Sequence, residues 1–215
     1  MSILKESKKP SNNTEEDIEW EMGETIEKTA WVRSSISFIA DLIKTVIISL
    51  AIILPVRYFV IQPFYVKGAS MEPNFHENEY LIVNELVYRL KDPMRGDIII
   101  FKNPRNQKEY FIKRILGLPN ETIKIYDHKI QIYNSSHQDG IIIEEPYLSS
   151  DEITTGNEII ELKENQYYVM GDNRNKSLDS RNFGPIKKES IIGKVFLRGW
   201  PLDKVDLLKN HEYNL

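Results

Sequence analysis

The chain has no cysteine. That excludes disulfides, a thiol nucleophile and thiolate metal sites. Histidine is scarce too. His76, His128, His137 and His211 show no metal-ligand spacing such as H-E-x-x-H. They fall in a charged turn, a hairpin turn, a polar loop and the C-terminal tail, so none reads as a member of a catalytic triad. A basic surplus is also missing: 28 Lys and Arg stand against 32 Asp and Glu, a net charge of −4. A nucleic-acid-binding surface needs the opposite balance. The absence of cysteine suits a compartment outside the cytosol without requiring one. At 215 residues, 41% hydrophobic and 28% charged, the composition is that of one globular domain with an appendage.

The acidic excess is local. Residues 1–34 carry five basic and eight acidic side chains, so the rest of the chain is nearly balanced. This tail is rich in Glu, Asn, Ser and Lys and poor in residues that bury surface, which reads as disordered or loosely helical; a short amphipathic helix through Glu15–Lys28 is the alternative. The most apolar stretch follows. As a helix, Ile36–Val56 would span about 32 Å, enough for a hydrocarbon core. Asp41 and Lys44 interrupt it but lie three apart, where they can pair. Tyr58 and Phe59 resemble an interfacial aromatic belt. A retained membrane anchor over residues 35–58 is therefore expected, against the alternative of an amphipathic core helix. No small-x-small cleavage site follows it as a secretory signal would require.

Beyond Pro63 the pattern becomes one of short β runs: Tyr80–Val83, Asp97–Phe101, Tyr110–Leu116, Thr122–Tyr126, Lys129–Tyr133, Gln166–Met170 and Ile191–Leu197. Each is rich in Ile, Val, Tyr or Phe and bounded by turn residues. TIKIYDHKIQIY alternates strictly and predicts a hairpin, Ile123 and Ile125 facing Ile130 and Ile132 across an Asp127-His128 turn. The fold class is thus mainly β, with a β-rich domain over 59–215 that includes an irregular excursion at 134–165.

Three segments could carry chemistry. In VKGASMEPNF, Gly68 frees the backbone and Ser70 follows it by two; such a serine is either a turn residue or a nucleophile, and a nucleophile needs a base. With histidine unsuited, Lys113 in EYFIKRILGLP is the candidate. Phe111, Lys113 and Ile115 share one face of the strand and Ile112, Arg114 and Leu116 the other, so a cation must lie among large apolar neighbours. Burial lowers a lysine pKa by up to several units, and a fall to about 8 leaves roughly a tenth neutral at pH 7. The third segment, MGDNRNKSLDSRNFG, is either a solvated loop or a hydrogen-bonded platform beside a catalytic pair.

Together these segments resemble the bacterial type I signal peptidases, membrane-anchored serine proteases that remove signal peptides from exported proteins. GASMEP around Ser70, RGDIIIF from Arg95, KRILGLP from Lys113 and GDNRNKSLDSRNFG from Gly171 stand in that family's order, within a resemblance running from about Ser35 to Pro201. It implies Ser70 as nucleophile and Lys113 as general base. It further implies Ser177 orienting the lysine, Asp179 pairing with an arginine, here Arg181, and an oxyanion hole built from the Ser70 N–H and a second donor near Gly68. Some members carry a serine hydroxyl at that position, where this sequence has glycine. The family binds small residues at positions −1 and −3 before the cut. Met71, Phe75 and Ile112 occupy matching positions and are the expected pocket residues. The resemblance implies no cofactor, no metal and no nucleic acid; the partners are preprotein signal peptides and the lipid bilayer. Residues 1–34 would be cytoplasmic and the β domain extracytoplasmic, with Phe59, Ile61, Phe64 and Tyr65 at the lipid surface. A self-cleaving repressor-type Ser-Lys protease would need an N-terminal DNA-binding module. An anchored binding module with a decayed site would not keep Ser70, Lys113, Ser177 and Asp179.

Overall fold

The computed structural model describes residues 15–59, 61–208, 211, 213 and 214, with backbone alone for 15–30, 55–59 and 61. The part of the acidic tail before Glu15 lies outside the described residues. The chain divides into two compact units, Met1–Leu54 and Pro55–Leu215.

Among its described residues, the first unit is helical throughout. Helix α1 runs Glu15–Phe59, so it begins inside the tail for which the composition favours disorder. Its segment Trp31–Leu54 is long and apolar enough to cross a membrane and has no buried share; Ile36 and Phe38 are 61% and 70% exposed. A continuous apolar surface of this kind calls for lipid or a partner. The polar groups within it are handled locally: Ser35, Ser37 and Thr45 hydroxyls donate to the carbonyls of Trp31, Arg33 and Asp41 at 2.8–2.9 Å, which suits an environment without water. Asp41 and Lys44, expected to pair, form no ion pair. A three-residue offset gives the short aspartate little reach, and both side chains stay exposed.

The second unit is mainly β. One sheet contains β1 (Ile61–Tyr65), β2 (Tyr80–Asn84), β3 (Ile98–Asn103) and β4 (Asn106–Gly117). A smaller sheet holds β5 (Thr122–Tyr126), β6 (Lys129–Tyr133), β7 (Ile141–Ile142) and β8 (Glu158–Glu161). β9 (Gln166–Met170), β10 (Ile186–Lys187), β11 (Ile191–Trp200) and β12 (Asp206–Leu207) complete the first. Its order is β1-β2-β11-β3-β4-β9-β10, with β12 on β11; the second sheet runs β7-β6-β5-β8. Neighbours pair antiparallel throughout. Two short helices, α2 (Val87–Leu90) and α3 (Ser180–Phe183), punctuate the loops.

The run of four apolar residues in β3 has a direct cause. Ile98 and Ile100 pack with Leu81, Val83, Ile112 and Val195 on one face, while Ile99 and Phe101 pack with Ile115, Tyr167 and Val169 on the other. A strand buried on both faces shows no alternation. The hairpin forms in the expected register, Ile123 opposite Ile132 and Ile125 opposite Ile130. Asp127 and His128 both take positive φ, 48° and 61°, as the tight turn that matches strand twist demands. The 134–165 excursion is more ordered than its polarity suggests: it supplies β7 and β8, which flank the hairpin, and it places Ile143 and Leu162 in the second sheet's core.

Candidate active site

The segment between β1 and β2 is pinned at its ends by two backbone bonds, Val66 N–H to Glu79 O (2.9 Å) and Asn78 N–H to Val66 O (3.1 Å). Gly68 adopts φ +84°, a conformation L side chains resist. Ser70 follows, partly exposed. Its loop is held down from inside by Met71 and Phe75, each 1% exposed and packed into the core with Leu81 and Val83. Neither is among the residues that line the cleft in front of Ser70, where they are expected as pocket residues. In an aperiodic turn the sequence does not say which side chains face inward, and here these two do. Of the three residues expected there, only Ile112 reaches the cleft wall.

Lys113 comes from the middle of β4, where its backbone pairs with Ile99. Its Nζ donates to Ser70 Oγ at 2.7 Å and to Ile112 O at 2.8 Å, and lies 5.5 Å from the centre of the Phe111 ring. The side chain is 3% exposed. Burial lowers its pKa to about 8, against the opposing fields of Asp179 and Asp172. A serine and a partly neutral amine in direct contact make a nucleophile-base pair.

The loop from Gly171 to Asp179 closes the site from a third direction. Asn173 N–H donates to Ser70 O at 3.1 Å, fastening the two loops backbone to backbone. A Cβ at Gly171 would lie 2.3 Å from both Ser70 O and Ser177 Oγ, so only glycine fits. Gly171→Ala should therefore push Ser70 out of line with Lys113. We expect kcat to fall about 100-fold, the usual effect of an ångström-scale misplacement, with stability falling by about 1–3 kcal/mol from the overpacked backbone. Peptide-cleavage kinetics beside urea unfolding check this.

Asp179 is fully buried. It accepts from Arg181 Nε and Nη2, both at 2.9 Å, and from the Gly171 N–H at 3.1 Å. Burial alone would raise its pKa, but the hydrogen-bonded guanidinium outweighs that and holds the carboxyl below its ordinary value. It also caps α3 in a reciprocal box with Asn182. Ser177 Oγ lies near enough to Asp179 to help depress it, yet it is buried without a hydrogen bond of good geometry. The expected contact from Ser177 to Lys113 is thus not made; the lysine is oriented by Ser70 and the Ile112 carbonyl. Gly68 N–H faces Glu77 Oε1 at 3.5 Å.

The charge-rich loop makes the hydrogen-bonded platform that is one of its two readings, and several of its partners escape sequence reasoning. Arg114, next to the lysine, forms a two-pronged pair with Asp172 at 2.9 and 2.7 Å and stacks 4.0 Å from the Tyr147 ring centre. Asn74 Nδ2 bridges Asp172 Oδ2 (2.8 Å) and Tyr147 O (2.9 Å). Arg174 binds Glu145, Thr154 and the Gly171 carbonyl. Tyr147, Glu145 and Thr154 belong to the excursion, so its polar residues tie it to Asn74 and to Arg174 of the Gly171–Asp179 loop. Removing one partner of such a buried pair strands the other charge. A signal was present only in the charge-rich loop paired with an Arg inside an apolar strand.

A cleft of about 450 Å³ opens in front of Ser70 and Lys113, walled by Phe64, Val66, Ala69, Leu81, Ile100, Phe111, Ile112 and Leu178. Phe64 is half-buried and Tyr65 exposed, and both line it; the side chains of Phe59 and Ile61 lie outside those described. The four histidines find other partners, such as Glu72 for His76 and the Tyr147 and Tyr213 rings for His211. Among the described residues, no group of three or more His, Asp or Glu could hold a metal.

Known proteins are similar to this chain over most of its length. The family described as signal peptidase, peptidase S26, matches residues 39–200. A probable signal peptidase I-2 from Synechocystis is 33% identical over 174 residues, covering 78% of this chain and 76% of its own. Signal peptidase I P from Bacillus subtilis subsp. natto is 34% identical over 173 residues, covering 79% of this chain and 93% of its own. A crystal structure of a signal peptidase I from Enterococcus faecalis is 34% identical and covers 49% of this chain and 97% of that one, with a TM-score of 0.41.

Proposed function

From the premise that the chain belongs to the signal peptidase I family, we propose that it is a membrane-anchored endopeptidase that cleaves preprotein signal peptides after small-x-small motifs with a Ser70-Lys113 dyad. Family membership supports the peptidase activity. The observation that carries the dyad is the 2.7 Å contact between Lys113 Nζ and Ser70 Oγ inside an apolar wall.

Ser70 Oγ attacks the carbonyl at the cut while neutral Lys113 takes its proton; the resulting ammonium returns a proton to the leaving amine. A water, deprotonated by the lysine, then releases the acyl group from Ser70. The Ser70 N–H is one oxyanion donor. Asp179, with Arg181, holds the Gly171 backbone that packs behind the serine. β1 is the end strand of its sheet, and β4 pairs with β9 only from Arg114 onward, so two unpaired backbone edges flank the cleft. An extended signal-peptide segment can add between them as a strand, with its small residues against Ile112 and its neighbours. The apolar part of α1 is the anchor, the tail cytoplasmic and the β unit extracytoplasmic.

The test is the pH profile of kcat/KM on a preprotein peptide. Because only neutral Lys113 works as base, and its pKa is about 8, the rate should climb about tenfold per pH unit below pH 7 and level off above about 8 to 9. A flat profile from about pH 6 to 10 would rule the lysine base out.

A further inference from the structure

The cleft in front of Ser70 carries charge of one sign. Besides the apolar walls and the dyad, it is lined by Lys67 and Lys176, with no aspartate or glutamate among its lining residues. Lys67 lies on the nucleophile loop and Lys176 on the loop that closes over it, and both are exposed. Among the described residues neither ammonium has an ion-pair or hydrogen-bond partner; Glu77, which faces the Gly68 N–H at 3.5 Å, does not line the cleft. Several other cations of this domain are paired: Arg95 with Glu121, Arg114 with Asp172, Arg174 with Glu145, Lys194 with Asp97.

A volume of about 450 Å³ corresponds to roughly 8 Å on a side, no wider than the Debye length of about 8 Å at physiological ionic strength. Both lysines therefore act on anything that fills the cleft, and a bound peptide, by displacing water, strengthens their field. The apolar floor suits small uncharged side chains, and the two exposed lysines in the same lining attract a carboxylate. We propose that Lys67 and Lys176 form a cationic subsite that selects preproteins bearing an Asp or Glu side chain within a few residues of the scissile bond, and disfavours those bearing Lys or Arg there. This rests on the protease reading above and adds a determinant that small-x-small recognition lacks. A peptide carboxylate is favoured over a lipid phosphate because the two lysines share the lining of the cleft with Ser70.

The test uses the full chain in neutral detergent and a peptide series, identical except for Glu, Gln or Lys at one position at a time on either side of the cut. At one or two positions Glu should exceed Gln by about three- to tenfold in kcat/KM at low salt, as one or two partly screened ion pairs allow, and the ratio should shrink in about 0.5 M salt. Lys67→Glu/Lys176→Glu should invert the preference so that the Lys peptide is cleaved faster, a reversal no general structural damage produces. No charge preference at any position, or one that the double variant leaves unchanged, overturns the subsite. So does a loss that is equal for all three peptides and appears only on vesicles containing anionic lipid, which would mark the lysines as a membrane contact. Binding of the same fluorescent peptides to Ser70→Ala needs no chemistry; a Glu preference there, with no cleavage by the parent chain, would support the subsite and refute the protease reading.

Discussion

Ser70→Ala is expected to cut cleavage of a preprotein by at least about 10⁴-fold while leaving the chain folded, membrane-bound and able to bind peptide. The size follows from what the proposed mechanism loses: without Oγ no acyl-enzyme can form, and only transition-state donors and peptide binding would remain, as in other proteases stripped of their nucleophile. Folding should survive because Ser70 is held through its carbonyl, which accepts from Asn173 N–H, and through Met71 and Phe75 in the core; none of these contacts uses the hydroxyl. The check is single-turnover cleavage beside urea unfolding and peptide binding. Cleavage within about tenfold of the parent would show that another residue is the nucleophile.

Lys113→Met should be just as inactive but more stable near neutral pH. Methionine fills similar volume without a charge, so the packing against Phe111 is largely retained. The folded-state pKa of Lys113, about 8, lies below its ordinary 10.5. Between those values the unfolded chain binds more protons than the folded one, so the parent gains stability as pH rises through this window; below about 8 it carries the full cost of a buried ammonium. That difference is about 3 kcal/mol, less the hydrogen bonds to Ser70 and Ile112 that methionine cannot make. The stabilisation by Lys113→Met should therefore be largest at and below about pH 8 and fade towards pH 10.5. Urea unfolding of detergent-solubilised parent and variant at pH 7 and 10 measures it. Equal stability at both pH values would mean the lysine is not desolvated.

What the sequence makes legible is whatever depends on a local period or a turn. The strict alternation of TIKIYDHKIQIY was enough for the hairpin and its register, and an otherwise apolar strand interrupted by Lys113 was enough to suspect a desolvated base. The burial of Met71 and Phe75 is not legible in the sequence, because a turn has no period to tell which side chains face the core. The Arg114–Asp172 pair joins residues far apart in sequence, one on β4 and the other on the loop after β9, and the roles of Tyr147 and Glu145 depend on a fold-back of the excursion that its polar composition does not encode. Ser177 illustrates the reverse: its motif position survives, while the hydrogen bond expected of it is absent from the geometry.

The bond from Asn173 N–H to Ser70 O, together with the void that only Gly171 fits, means that the serine's place is set by two main-chain traces and an excluded volume. Such a placement does not travel with side chains. Grafting Ser70, Lys113 and Asp179 onto another β scaffold would carry over the reagents but not the jig that holds them, whereas the side chain at 173 can vary without moving the nucleophile. Portability of this site is therefore a question of loop backbones, and an engineered version should begin from residues 66–79 and 171–181 as a unit.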